Sequence, residues 1–361
     1  MMDVRRLSDS LDGSDSNTTE NSCENGRPCI VRFRHLDYSF EKQITFDRNK
    51  RRPSSPIRNS NAAKKICLDT ISSGNLYTES NFVRIGGVLD LTSLYNESFK
   101  GKSTNDLISI GRKIDFSCSE QCLEEIEMQS RHRLSDKNSL WKKLQIGRIS
   151  GSVFKDGEFL MIFSNFFIVH LGNLAVCQSE SKYPSKHLMN SIYRLTKPDE
   201  VSDIWTKTNF LVVRSKYERI MINRHRNFVY RKCGLILRSD HPQFCVTPGG
   251  IVECECCGRG ITEFVLPYRM RNENVYSMTC LDETDDYDFV LKKDSNYYYK
   301  VQLHMFLTDT QYCDFVIWST CSYVDIRIKR DDQFLFVKVN QARTFFLRKI
   351  LPDLLGSGLT S

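Results

Sequence analysis

Apolar and polar positions are distributed very differently in the two parts of this chain. From Met1 to about Gly101, Ser, Asn, Asp and Arg dominate and the apolar residues keep no sustained period. Such a segment cannot offset its ordering entropy by burial, so residues 1–120 read as a mostly disordered basic and polar arm ahead of a folded domain over 121–361. From Leu123 the texture changes. LEEIEMQSRHRLSDKNSLWKKLQIGRISGS carries apolar residues at helical intervals, with Trp141 and Leu144 spaced to share a face, which predicts the helix that opens the domain. Arg148, in the RISGS that follows, is placed either to meet a phosphate or to cap the packing around Trp141.

From about Asp203 the periods alternate. LVVRSKYERIMINRHR predicts a helix and VYRKCGLILR a strand. VTPGGIVECE and GITEFVLPY read as two strands joined through CCGRG, whose glycines permit the reversal. NYYYKVQLHMFLT then predicts a helix, CDFVIWSTC a buried strand and VDIRIKR a half-exposed one. FFLRKILPDLL predicts a closing helix that ends near Pro352. Helices flanking a mixed sheet give an α/β (α+β) class.

One segment departs from this alternation. FLMIFSNFFIVHLGNLAV, at about 157–175, approaches the roughly twenty apolar residues that a bilayer crossing needs. Ser164, Asn165, His170 and Asn173 disfavour a transmembrane helix, and the segment reads as an atypical insertion, expected to pack poorly. No membrane partner is expected.

Composition adds bounds. The 361 residues, 40% of them hydrophobic, suffice for one substantial core with accessory segments. A net charge of +7 suits a nucleic-acid partner while being ordinary for a chain this long. Fourteen cysteines without an N-terminal apolar signal segment imply a reducing compartment, nuclear or cytoplasmic. Cys254, Cys256 and Cys257 lack the two-pair spacing of a zinc ribbon and read as ordinary thiols. Lys50 to Arg52 followed by Lys64 and Lys65 have the arrangement of a bipartite import signal, or of a solvated basic linker.

The stretch Thr247 to Pro267, TPGGIVECECCGRGITEFVLP, resembles the central hairpin of the PD-(D/E)XK nucleases. With Trp141 to Ser152, CGLILRSDHPQF, NYYYKVQLHMF and CDFVIW in the same order, the region from Leu123 to Leu355 resembles the YqaJ-type viral recombinase domain of the lambda-exonuclease-like branch. The resemblance implies a restriction-endonuclease-like core and, ancestrally, a Mg²⁺- or Mn²⁺-dependent DNA exonuclease with no small-molecule cofactor. Carboxylates converging on hard cations polarise the phosphate and lower the pKa of the attacking water. By the same resemblance the strand acid is Glu263, the helix acid Glu218 and the helix glutamine Gln302, with Lys300 where the family often has another glutamine.

Two positions depart from that pattern. Gly249 stands where the family has a metal-binding aspartate, and Val265 where it has the lysine. Together they argue for loss of catalysis, with Glu253, Glu255, Lys300 and Asp240 as candidate replacements. Arg131, Arg133, Lys142, Lys143 and Arg148 form one basic stretch, and Arg224, Arg226, Arg231 and Lys232 another; each is either a DNA contact or a solvated face. Three readings therefore stand. One is a nuclease-fold protein from a viral or mobile element, impaired in catalysis and still holding DNA. The others are an active exonuclease with relocated ligands, and an interaction scaffold that does not touch DNA. Homo-oligomers occur among the relatives, and no residue here decides on one.

Overall fold

All seven residues of Tyr312–Trp318 are buried. The structure, a computed structural model, describes residues 82–131, 139–155, 184–196, 199–285 and 288–357. In chain order the central sheet comprises β1 (Val229–Arg231), β2 (Gly250–Cys254), β3 (Gly258–Val265), β4 (Tyr312–Trp318) and β5 (Tyr323–Lys329). They lie side by side as β5-β4-β3-β2-β1. Only β3 and β4 run parallel, and the other neighbours are antiparallel. A parallel pair needs a crossover, and a helix fills it here. The fold is the expected α/β (α+β) class, a mixed sheet flanked by helices.

The helices used below are, in chain order, α1 (Thr104–Gly111), α2 (Glu120–Ser130), α3 (Ser139–Lys143), α4 (Lys186–Ile192), α5 (Glu200–Arg224), α6 (Asn296–Thr308), α7 (Asp332–Phe345) and α8 (Leu351–Gly356). Side-chain alternation assigns each sheet face. Ile251, Ile261, Val265, Phe315 and Ile317 pack with Val301 and Met305 of α6. Val252, Val316 and Trp318 pack with Val213, Tyr217 and Met221 of α5 on the other side. Because the strand period is two, a slip of one residue would exchange these sets. Helix α6 starts at Ser295, whose hydroxyl accepts from the Tyr298 amide, and stops at Asp309 in the left-handed region. Its third side, Tyr299, Leu303 and Leu307, joins a core with α7 and α8.

That core also takes in residues assigned to the arm. Leu89, Leu91, Leu94, Phe99 and Leu107 are buried in it, so the folded domain is under way by residue 82 and not at 121. The stretch uses a short ribbon (Arg84–Ile85 with Val88–Leu89), two 3-10 turns and α1, each too short to show a period. The basic pairs at 50–52 and 64–65 and the apolar segment at about 157–175 lie outside the described residues.

Three further expectations change. The opening helix is α2, capped by Ser119, and α3 is separate from it; Leu144 and Trp141 nonetheless share one cluster as the spacing predicts. VYRKCGLILR contributes only the three-residue edge strand β1. Beyond it the chain crosses α2 so closely that a Cβ on Gly234 would stand 1.9 Å from the Glu127 carbonyl oxygen, and an isolated antiparallel bridge between Ile236 and Val246 follows. Nor does the last helix end near Pro352. Residues Phe346–Ile350 form a π turn, and Pro352 sits in the first turn of α8, which runs on to Gly356. A wider turn before a proline relieves its clash with the preceding carbonyl, and the first turn of a helix does not need the missing N–H.

Candidate functional site

Glu263 lies on β3 with its side chain turned towards α6, and it is 5% exposed. Lys300 and His304, one turn apart on α6, close on its carboxylate. The Lys300 ammonium donates to one oxygen, and His304 Nδ1 lies 3.4 Å from the other. Burial alone raises a carboxyl pKa; here the Lys300 charge and the His304 imidazole outweigh it and hold Glu263 down at about 2. The turn after Ile149–Ser150 covers the trio, with a Cβ on Gly151 lying 2.8 Å from both His304 Nε2 and Lys300 Cγ. Of RISGS, then, it is Gly151 that meets the site. Of the candidate replacements, Lys300 alone reaches it. His304 was not among the sequence candidates, although its place four residues after Lys300 on a predicted helix put both on one face.

The departures are built into the packing. A Cβ on Gly249 would stand 2.7 Å from the Thr262 carbonyl oxygen and 2.8 Å from Phe264 Cδ2, so the position is filled by its neighbours. The Gly249 carbonyl accepts from the Tyr230 hydroxyl at 2.8 Å. Val265 is buried in the cluster between sheet and α6, where a lysine would bring a charge into an apolar core.

The other proposed site residues do not join Glu263. Gln302 is buried, and two residues from Lys300 means about 200° around the helix. Its amide donates to the Lys329 carbonyl at 2.9 Å and accepts from the Asp331 amide at 2.9 Å, which ties α6 to the start of α7. Glu218 is on α5, across the sheet from Glu263, and pairs with Arg214 at 2.9 Å. Glu253 pairs in register with Arg259, about 13 Å along the hairpin from Glu263 at ~3.3 Å per residue. Glu255 accepts from the Asn227 side chain in the hairpin turn, and Asp240 pairs with Arg238 at 2.7 Å.

Of the two placements open for Arg148, the structure shows the packing one and not the phosphate contact. It is 2% exposed, and its guanidinium donates to the carbonyls of Leu144 (2.7 Å), Leu89 (2.8 Å) and Pro242 (3.1 Å). It joins α3, the N-terminal ribbon and the turn before Phe244, and has no face for a phosphate. Arg131 is paired with Glu127 one helical turn back, and Arg224 with Asp325 at 2.7 Å. Lys142, Lys143, Arg226 and Arg231 are exposed.

A Mg²⁺ or Mn²⁺ ion does not fit this arrangement. Hard cations need several oxygen ligands, and metal-assisted phosphodiester hydrolysis needs converging carboxylates. Among the described residues the cluster able to hold a metal lies elsewhere and does not include Glu263. The one acid present is already paired through one oxygen with the Lys300 ammonium and has His304 Nδ1 3.4 Å from the other.

No protein-family model matches the chain, and none of the curated proteins does. Solved structures similar to it include an alkaline exonuclease, LHK-Exo, from Laribacter hongkongensis, with 18% identity over 59% of this chain and 93% of that one at a TM-score of 0.37. The same exonuclease in complex with dAMP is similar at 18% identity and the same coverage, with a TM-score of 0.39.

Proposed function

We propose that this chain is a nuclease-fold protein, descended from a viral or mobile-element recombination exonuclease, that has lost phosphodiester hydrolysis and still holds DNA. The observation that carries the first part is the state of Glu263. Its carboxylate is bound by Lys300 and His304, while the positions that would supply a second ligand and a lysine are a glycine without room for a side chain and a core valine. Water activation on a metal needs an open coordination position and convergent ligands, and this site supplies neither.

DNA binding does not depend on that site. Phosphate contacts come from exposed basic groups, here Lys142, Lys143, Arg226 and Arg231, and their strength falls with salt because condensed counterions are released. The test is incubation of the full chain with end-labelled linear duplex in Mg²⁺ or Mn²⁺, a Glu263→Ala control beside it, and a gel shift in EDTA. The expected outcome is no metal-dependent loss of label and a complex that weakens as salt rises. Cleavage that disappears in Glu263→Ala would establish an active enzyme with relocated ligands, whereas neither cleavage nor a complex would leave the scaffold.

A further inference from the structure

At the far end of the hairpin, on the α5 face of the sheet, four side chains with soft donor atoms meet. Cys254 closes β2, Cys256 and Cys257 form the turn into β3, and His225 is the residue at which α5 ends. Cys254 Sγ lies 3.4 Å from Cys256 Sγ, and Cys257 Sγ 3.7 Å from it. His225 Nδ1 is 3.7 Å from Cys254, 3.1 Å from Cys256 and 3.5 Å from Cys257. All four donor atoms lie within 4.8 Å of one another. With Zn–S near 2.3 Å and Zn–N near 2.0–2.1 Å, a tetrahedral ion sets S–S edges of about 3.8 Å and N–S edges of about 3.6 Å. The two S–S separations fall just below the first edge, and the three N–S separations straddle the second. A disulfide would need S–S of about 2.05 Å.

We propose that the chain binds one Zn²⁺ through the Sγ atoms of Cys254, Cys256 and Cys257 and Nδ1 of His225, a closed site that fixes the hairpin turn to the end of α5. This replaces the reading of the three cysteines as ordinary thiols. Spacing alone had counted against zinc because the fourth ligand lies 29 residues before Cys254, on another element, and only the packing of α5 on β2 brings it in.

The surroundings suit such a site. The Glu255 amide donates to the Arg226 carbonyl at 3.0 Å, and the Asn227 side chain donates to the Glu255 carboxylate. The segment carrying His225 is therefore tied to the turn carrying the cysteines by groups that are not ligands. Three thiolates and an imidazole around Zn²⁺ carry a net charge of −1, and the Arg327 guanidinium, paired with Asp314 at 2.7 Å and 4.0 Å over the Tyr312 ring, lies on the same face of the sheet. Neighbours of this kind orient ligands and balance charge. Four protein donors leave no coordination position for substrate, so the role is structural. The site faces away from Glu263 and holds whether or not the protein binds DNA.

The full chain, purified under reducing conditions without chelator, is assayed for metal by mass spectrometry and then exchanged with Co²⁺. The expected results are one equivalent of zinc per chain, its release by an organomercurial thiol reagent, and a Co²⁺ form with intense tetrahedral d–d bands and a thiolate charge-transfer band. Cys256→Ser and His225→Ala are expected to lose the metal, and Cys321→Ser, an exposed thiol elsewhere, to keep it. The wild-type spectrum decides even if a variant fails to fold. Wild-type chain that carries no stoichiometric zinc and gives only the weak spectrum of six-coordinate Co²⁺ overturns the proposal. So does iron in place of zinc, a disulfide among these cysteines, or equal metal loss in Cys321→Ser.

Discussion

A carboxylate 5% exposed to solvent can stay charged only if something nearby stabilises it, and Lys300 and His304 do so for Glu263. The consequence is a specific acid dependence. The folded pKa, about 2, lies below the ordinary 4.5, so the pair stabilises the native state above the ordinary value and loses that contribution as pH falls towards the folded one. Linkage puts it at about 3 kcal/mol. Urea unfolding at successive pH values should therefore show the wild type losing its advantage over Glu263→Gln between roughly pH 4.5 and 2, whereas a constant difference would mean that Glu263 is not held by charge. The glycine opposite is as constrained as the acid. Gly249→Asp must push into the Thr262 carbonyl and Phe264, and the cost expected is about 1–3 kcal/mol in chemical denaturation, with no gain of metal-dependent cleavage. Arg148→Met strands three carbonyls that are now satisfied, and its unfolding free energy should drop by about 3 kcal/mol or more.

Helix α6 shows how one element serves several surfaces. Val301 and Met305 cover the sheet, Leu303 and Leu307 join the core with α7 and α8, Lys300 and His304 bind Glu263, and Gln302 reaches the chain between β5 and α7. A helix buried on nearly every side has no strong amphipathic signature, so its period alone does not say which side carries chemistry. Gln302→Leu should cost about 1–3 kcal/mol by leaving the Lys329 carbonyl and Asp331 amide without their partner. The same variant should leave the gel-shift affinity unchanged. An equal loss of DNA affinity at unchanged stability would instead make Gln302 a contact residue.

At the scale of the whole molecule, the sheet separates two groups of polar side chains. Glu263, Lys300 and His304 lie on the α6 face; the cysteine and histidine cluster, with Asp314, Arg327 and Tyr217, lies on the α5 face. On the proposed function, loss of chemistry on one face would leave packing on the other intact, which is how a fold can outlast a reaction. Paired substitution of the exposed Lys142 and Lys143 by alanine should reduce DNA affinity and flatten its salt dependence, with the unfolding midpoint unchanged. Binding that is indifferent to both lysines would place the contact on another face.

Much of the core was legible in the chain because strands and helices announce themselves by local period. NYYYKVQLHMFLT is a helix over its full length, and the two hairpin strands and the buried CDFVIW strand lie where alternation and apolar run put them. Gly249 and Val265 could be read from residue type alone as departures from the pattern resembled, since glycine has no donor and valine no charge. What lay beyond the sequence were the contacts between distant segments. Leu89, Leu91, Leu94, Phe99 and Leu107 are buried because helices more than 200 positions later supply their core. Arg148 is a staple and not a phosphate contact because three carbonyls from separate segments surround it. His225 joins Cys254, Cys256 and Cys257 because α5 ends beside the hairpin turn. Local period is written in side-chain order, whereas convergence of donors depends on how whole elements pack, and only the tertiary structure decides that.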